Sequence, residues 1–125
     1  MEKTDLIVLA VDDDLINLKL LKSMLMKSGN VKEVIEAKNG SDAIGVLKSR
    51  DDIDLILLDI IMPIMGGIDM LKVVRADDNL RQLPIIVLTT DETKKAEALE
   101  CGANGFLMKP IRNDKLIEKM ETVIV

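Results

Sequence analysis

The chain has no histidine, no tryptophan, no tyrosine and a single phenylalanine, Phe106. Each absence closes a class of chemistry. Without histidine there is no Ser-His-Asp or Cys-His nucleophile and no imidazole ligand for a metal. Without aromatic platforms, single-stranded nucleic acid has nothing to stack on. The one cysteine, Cys101, cannot form an internal disulfide and suits a reducing compartment. Lysine and arginine number 17 against 22 acids, so the net charge of −5 offers no basic footprint for nucleic acid or an anionic membrane. The apolar runs are short and broken by acids, far from the ~20 residues of a membrane span. The first residues, with Glu2 and Asp5, lack the basic start of a secretion signal. A soluble cytoplasmic protein is expected. The groups left for chemistry are carboxylates, hydroxyls, lysine and a hard metal ion.

What is present is enough apolar material for a core. Hydrophobic residues make up 48% of 125, which fits one ordinary domain and excludes disorder as the main reading. Short apolar runs alternate with amphipathic stretches. Runs at 6–11, 31–37, 55–58, 85–89 and 106–108 predict strands, the first a continuous apolar stretch of the kind covered on both faces. Helical stripes are expected over 14–28 (Leu18, Leu21, Met24, Leu25), from 39–41 onward (Ala43, Ile44, Leu47), after Gly66-Gly67 (Ile68, Leu71, Val74), over about 92–101 with Gly102 as the C-terminal stop, and over about 113–124. Five βα units in a row imply an α/β fold, a parallel sheet with helices on both faces joined by right-handed crossovers. In such sheets function sits beyond the carboxyl ends of the strands, where the strand order reverses.

The residues at those ends share a chemistry. Strand one runs into Asp12, Asp13 and Asp14, strand three into Asp59, strand four into Thr89 and Thr90, and strand five into Lys109. Taken singly, each has an ordinary structural explanation. An Asp run after a strand is often a loop with a helix cap, which Asp14 suits. Thr89 could satisfy its hydroxyl on the backbone, and Lys109 could snorkel to solvent. Asp59 resists this treatment, because it interrupts an apolar stretch from Leu55 to Met62 where an unpaired carboxylate costs several kcal/mol or more. If the order reverses between strands one and three, these groups converge on one pocket. Carboxylates with hard oxygens suit Mg²⁺ and phosphoryl groups. A carboxylate nucleophile can form an acyl phosphate, with a lysine and a hydroxyl stabilising the transferring oxygens.

The segments Leu9-Ala10-Val11-Asp12-Asp13-Asp14, Ala37-Lys38-Asn39-Gly40, 54–59, Met62-Pro63, 84–89 and Cys101-Gly102-Ala103 through Lys109-Pro110 stand in order and at matching spacing. In them the chain resembles the response-regulator receiver domains, the CheY-like superfamily of two-component signalling, over essentially all of residues 1–125. The resemblance implies a doubly wound, flavodoxin-like (βα)5 fold with strand order 2-1-3-4-5. It implies Asp59 as phosphoacceptor, a Mg²⁺ (or Mn²⁺) site built from Asp12, Asp13, Asp59 and the backbone carbonyl of Ile61, and Thr89 and Lys109 as contacts of the phosphoryl group. The Lys109–Pro110 bond is expected to be cis. Thr89 and Phe106 would form the switch that changes the surface of helix four, strand five and helix five. The phosphoryl group would come from a sensor histidine kinase or a histidine phosphotransfer protein. The output would be a downstream protein target or a covalently linked output domain, with no direct nucleic acid or membrane contact. Such a domain is no enzyme beyond its own phosphorylation and slow dephosphorylation.

Three departures from the family pattern stand out. Gly66 occupies a place where an acid often precedes Gly67. The stretch 90–100 is short for a fourth helix. Ile61 and Asp91 hold the positions that tune water attack on the acyl phosphate. Two other readings use the same residues. In a small haloacid-dehalogenase-like phosphatase, Asp12 would be the nucleophile and Asp14 the general acid. In a non-phosphorylated pseudo-receiver, the domain would serve only as an interaction module.

Overall fold

The computed structural model describes residues 3–124. Five strands, β1 (Leu6–Val11), β2 (Val31–Ala37), β3 (Leu55–Asp59), β4 (Ile85–Thr89) and β5 (Gly105–Met108), form one parallel sheet in the order β2-β1-β3-β4-β5. The helices are α1 (Leu15–Lys27), α2 (Gly40–Ser49), α3 (Gly67–Ala76), α4 (Lys95–Glu100) and α5 (Asn113–Val123). The expected α/β fold and strand order are borne out. Among the described residues no helix is long and apolar enough to cross a membrane.

The continuous apolar strands work as the two-sided reading requires. Alternate residues of β1 feed opposite layers. Ile7, Leu9 and Val11 pack with Ile56, Leu58, Ile85 and Val87 against Ala43 and Leu47 of α2, Met70, Leu71 and Val74 of α3, and Ala98 of α4. Leu6, Val8 and Ala10 pack with Leu55, Leu57, Ile86 and Leu88 against Leu18, Leu21 and Leu25 of α1 and Leu116 and Met120 of α5. All six residues of β1 and all five of β3 and β4 are buried, so the strands that lead into Asp12, Asp59 and Thr89 are covered on both faces.

The stretch 92–101 departs from a single helix. A 3-10 turn, Glu92–Lys94, comes first and buries none of its residues; only then does the six-residue α4 begin, with Ala98 its one buried side chain. A segment with so little apolar surface to bury gains little from packing, and packing is what normally stabilises a short helix. Its end is well formed. Gly102, at φ +106°, follows the cap residue Cys101, the Gly102 N–H donates to the Leu99 carbonyl (3.1 Å) and the Ala103 N–H to the Ala98 carbonyl (3.0 Å). Those two bonds are a Schellman ending.

Two loops frame the carboxyl ends. In the β3–α3 loop, Gly67 starts α3 so close to β3 that a Cβ there would lie 2.4 Å from the Asp59 carbonyl oxygen. Within the same loop Ile64 has φ +67° and is 86% exposed. A β-branched residue is a genuine outlier in this left-handed region. The loop is tied down by hydrogen bonds from the Gly40 N–H to the Met65 carbonyl (2.8 Å), the Met65 N–H to the Pro63 carbonyl (2.7 Å) and the Gly67 N–H to the Ile60 carbonyl (2.8 Å). After β5, the Lys109–Pro110 peptide is cis, as expected.

Candidate functional site: an acidic pocket at the strand ends

Strand order reverses between β1 and β3, and there the carboxylates meet. Val11 pairs with Leu58, which sets Asp12 beside Asp59 one residue further on. Asp12, Asp13 and Asp59 each present an oxygen within 4.8 Å of the others. Asp12 is 2% exposed and Asp59 8%, while Asp13 is exposed at the mouth. Asp12 uses both oxygens: Oδ1 accepts from the Asp14 N–H (2.9 Å) and Oδ2 from the Lys109 ammonium (2.8 Å). Lys109 Nζ also lies 3.3 Å from Asp59 Oδ1.

The far side of the pocket comes from β4 and β5. Asp59 is in register with Leu88, and Thr89 with Met108. The Lys109 N–H then donates to the Thr89 carbonyl (2.8 Å), extending the ladder one residue past the strand. This bond positions Lys109 so that its side chain reaches back over the pocket. Thr89 is 1% exposed, and its hydroxyl accepts from the Asp91 N–H (3.2 Å). Its own proton remains available to a further acceptor.

Electrostatics sharpen the picture. Burial pushes the Asp59 carboxyl above the usual carboxylate range; Lys109 opposes this and the Asp12 charge adds to it. Burial also works against the Lys109 ammonium, but the Asp12 hydrogen bond and the charges of Asp59 and Asp12 outweigh it and hold Lys109 above the usual lysine range. Three carboxylates face one ammonium, so two negative charges remain uncompensated. Hard oxygen donors with a surplus of two charges, one of them open to solvent, suit a Mg²⁺-class ion that keeps several waters.

Not every sequence candidate joins this cluster. Asp14 is the N-cap of α1, exposed, its Oδ1 accepting from the Ile16 N–H (2.9 Å). It stands outside the acidic cluster, which removes the general acid that the phosphatase reading needs. Phe106 is in register with Val87, half-buried against the α2–α3–α4 layer of the core. The Ile61 side chain is 64% exposed, in the loop two residues beyond Asp59. Two supporting contacts carried no signal in the sequence. Gly40 touches the β3–α3 loop through Met65, and Arg75 binds the α4–β5 turn. Neither contact shows in composition or periodicity, because both join segments distant in sequence.

The chain matches the family model of the response regulator receiver domain over residues 8–121. It is 38% identical over 120 residues to chemotaxis protein CheY1 of Helicobacter pylori, covering 94% of this chain and 95% of that protein. It is 35% identical to chemotaxis protein CheY of Pseudomonas aeruginosa, covering 93% and 94%. Among solved structures, the chemotaxis response regulator CheY4 of Vibrio cholerae superposes with a TM-score of 0.86 at 33% identity, covering 96% of this chain and 99% of that one. The receiver domain of a sensor histidine kinase from Pseudomonas aeruginosa, solved with a magnesium ion coordinated in its active-site cleft, superposes with a TM-score of 0.87 at 27% identity, covering 97% and 98%. The chain belongs to the response-regulator receiver family: it is a CheY-like phosphoacceptor module of two-component signalling rather than an enzyme.

Proposed function

We propose that residues 1–125 act as one receiver unit and that Asp59 is its phosphoacceptor. An Asp59 carboxylate oxygen attacks the phosphorus of a phosphohistidine on a sensor kinase or phosphotransfer protein. The new P–O bond makes an acyl phosphate, and the P–N bonding pair leaves with the donor's imidazole. The carboxylates of Asp12, Asp13 and Asp59 and the Ile61 carbonyl would hold Mg²⁺ (or Mn²⁺), which would supply neutralising charge to the phosphoryl oxygens. Lys109 exchanges part of its contact with Asp12 for a phosphoryl oxygen. Thr89 donates its hydroxyl proton to another. Phe106 moves with Thr89, and the surface of α4, β5 and α5 changes for a downstream protein target or a linked output domain, in the cytoplasm and without direct nucleic acid or membrane contact.

The observation that carries this reading is the Lys109 ammonium held by Asp12 at 2.8 Å within 3.3 Å of Asp59, in a three-carboxylate cluster at the switch point of the sheet. Incubation with Mg²⁺ and acetyl phosphate, followed by intact mass, tests it. The chain should gain one phosphoryl group, and Asp59→Ala should abolish the gain. Mapping of the acyl phosphate to Asp12 would return the phosphatase reading. No uptake at all would return the pseudo-receiver.

A further inference from the structure

The acidic pocket is braced by a segment that supplies none of its carboxylates. Residues 37–40 join the end of β2 to the start of α2, and both ends of that connection reach the site. At one end the Ala37 carbonyl accepts from the Asp12 N–H (3.0 Å), one residue past the register pair of Val11 and Ala37. At the other end the Gly40 N–H donates to the Met65 carbonyl (2.8 Å) in the β3–α3 loop. The connection is itself held fast. Asn39 is 5% exposed and caps α2: its Oδ1 accepts from the Asp42 N–H (2.8 Å) and its Nδ2 donates to the Asp42 carboxylate (3.3 Å). Ala43 and Leu47 then seat α2 in the core.

The β3–α3 loop depends on that support. Ile61 and Ile64 point into solvent and give it no anchor. Met62 and Met65 are half-buried against the core. The Met65 N–H and the Pro63 carbonyl close a γ-turn with Ile64 at its apex. The Met65 side chain lies directly across Gly40. A Cβ on Gly40 would fall 2.7 Å from Met65 Cγ, 3.0 Å from Sδ and 2.8 Å from the Met65 carbonyl oxygen. The side-chain atoms could swing aside, but the carbonyl belongs to the backbone and could not. Glycine is therefore the residue that lets this N–H reach Met65 while the thioether closes over it. The first N–H groups of a helix have no intrahelical partner, so this bond costs α2 nothing. Gly45, in the same helix, has nothing within 4 Å of its Cβ position.

We propose that residues 37–40 are a bracket that sets the span of the metal site, with Gly40 and Met65 as positioning residues for the Ile61 carbonyl. The proposal rests on the reading of Asp12, Asp13, Asp59 and the Ile61 carbonyl as Mg²⁺ ligands. Asp12 and Ile61 stand in different loops, and Mg²⁺ demands near-ideal octahedral geometry. Ala37 fixes the Asp12 backbone, and Gly40 fixes the loop that carries Ile61, so the two ligands share one support. Linkage runs both ways: a bracket that favours Mg²⁺ binding is itself tightened by Mg²⁺. Gly40 and Met65 touch no reacting atom.

Mg²⁺ titration followed through the amide NMR signals, together with amide hydrogen exchange, tests the bracket. In the unaltered chain, saturating Mg²⁺ should slow exchange at the Gly40 amide by roughly threefold or more. Gly40→Ala should weaken Mg²⁺ binding about tenfold, the scale of a lost support behind a metal ligand. The Met62 amide shares a peptide group with the Ile61 carbonyl, so its Mg²⁺-induced shift should shrink in that variant more than the shift at Asp13. Gly45→Ala, with open space at its Cβ, should bind Mg²⁺ as the unaltered chain does. Met65→Ala serves if Gly40→Ala fails to fold: it uncovers Gly40 and keeps the backbone bond, and binding should weaken severalfold. Unchanged Mg²⁺ affinity in Gly40→Ala, or in Met65→Ala where it stands in, overturns the bracket. So do equal losses in Gly40→Ala and Gly45→Ala, or Gly40 exchange indifferent to Mg²⁺. An unaltered chain whose amides at Asp12, Asp13 and Asp59 ignore Mg²⁺ overturns the metal reading beneath it.

Discussion

The ammonium of Lys109 sits 2.8 Å from Asp12 Oδ2, tighter than its 3.3 Å approach to Asp59. The lysine is therefore anchored on Asp12 and leans toward Asp59. Both partners are nearly buried, with 15% and 2% of their side-chain surfaces exposed. Removing one member of such a pair leaves the other charge uncompensated. Lys109→Met should destabilise the metal-free protein by about 3 kcal/mol, read as a lower urea midpoint. Added Mg²⁺ should narrow the gap, because a cation then replaces the missing charge. An equal gap with and without Mg²⁺ would contradict the shared electrostatics.

The same surplus of negative charge predicts that Mg²⁺ stabilises the fold. A ligand that binds only the native state at about 100 times its Kd adds roughly 2.7 kcal/mol. The melting temperature should rise by several degrees with Mg²⁺. Asp13→Asn should lose most of that rise while leaving the metal-free melting temperature nearly unchanged, since the Asp13 side chain is exposed. A melting temperature indifferent to Mg²⁺ would count against the site.

Ile61 stands at the rim of the pocket, with 64% of its surface open to solvent. An apolar side chain there offers no hydrogen bond to orient a water for attack on the acyl phosphate. Ile61→Asn should shorten the phosphorylated half-life severalfold, measured as decay of the phosphorylated mass after the donor is removed. An unchanged half-life would sink the idea.

Ile64 pays for a left-handed backbone without burying its side chain. An L-residue in that region costs about 1–2 kcal/mol, and asparagine tolerates it far better. Ile64→Asn should therefore raise stability by about 1 kcal/mol, read from urea unfolding. A neutral or destabilised variant would show that the exposed isoleucine makes a contact of its own.

Thr93 holds the Asp91 carboxyl below the usual carboxylate range, through its hydroxyl first and its N–H second. A depressed folded value means that the cap contributes fully above the ordinary Asp value of about 3.9 and is lost as pH falls through the lower folded value. The Thr93 amide resonance should titrate with a midpoint below that of an unpaired Asp. The stability difference between the unaltered chain and Asp91→Ala should vanish in acid. A midpoint at or above the ordinary value would remove the cap.

Periodicity was sufficient for the sheet, because strands buried on both faces write themselves as unbroken apolar runs such as Leu6–Val11 and the Ile85 to Leu88 part of β4. The acidic pocket followed from the strand ends, since a parallel βα alternation puts every carboxyl end on one edge. The helix over 92–101 was the weakest part. Its polar composition leaves a single buried residue, and local pattern cannot tell a 3-10 turn from the first turn of an α-helix. The contacts of Arg75, Gly40 and Asn104 were silent for another reason. Their partners lie 6 to 29 residues away along the chain, or across the sheet edge, and no spacing rule reports such contacts.

Gly67 gives Asp59 a direction. The start of α3 lies so close to the Asp59 carbonyl that not even a methyl group fits between them. With Asp59 as the proposed acceptor, its backbone would have no room to retreat were a bulky, doubly charged group added to its side chain. All of that bulk must be taken up on the side facing Thr89, Lys109 and the open mouth. A rigid wall behind the acceptor turns an added charge into displacement of the groups in front of it.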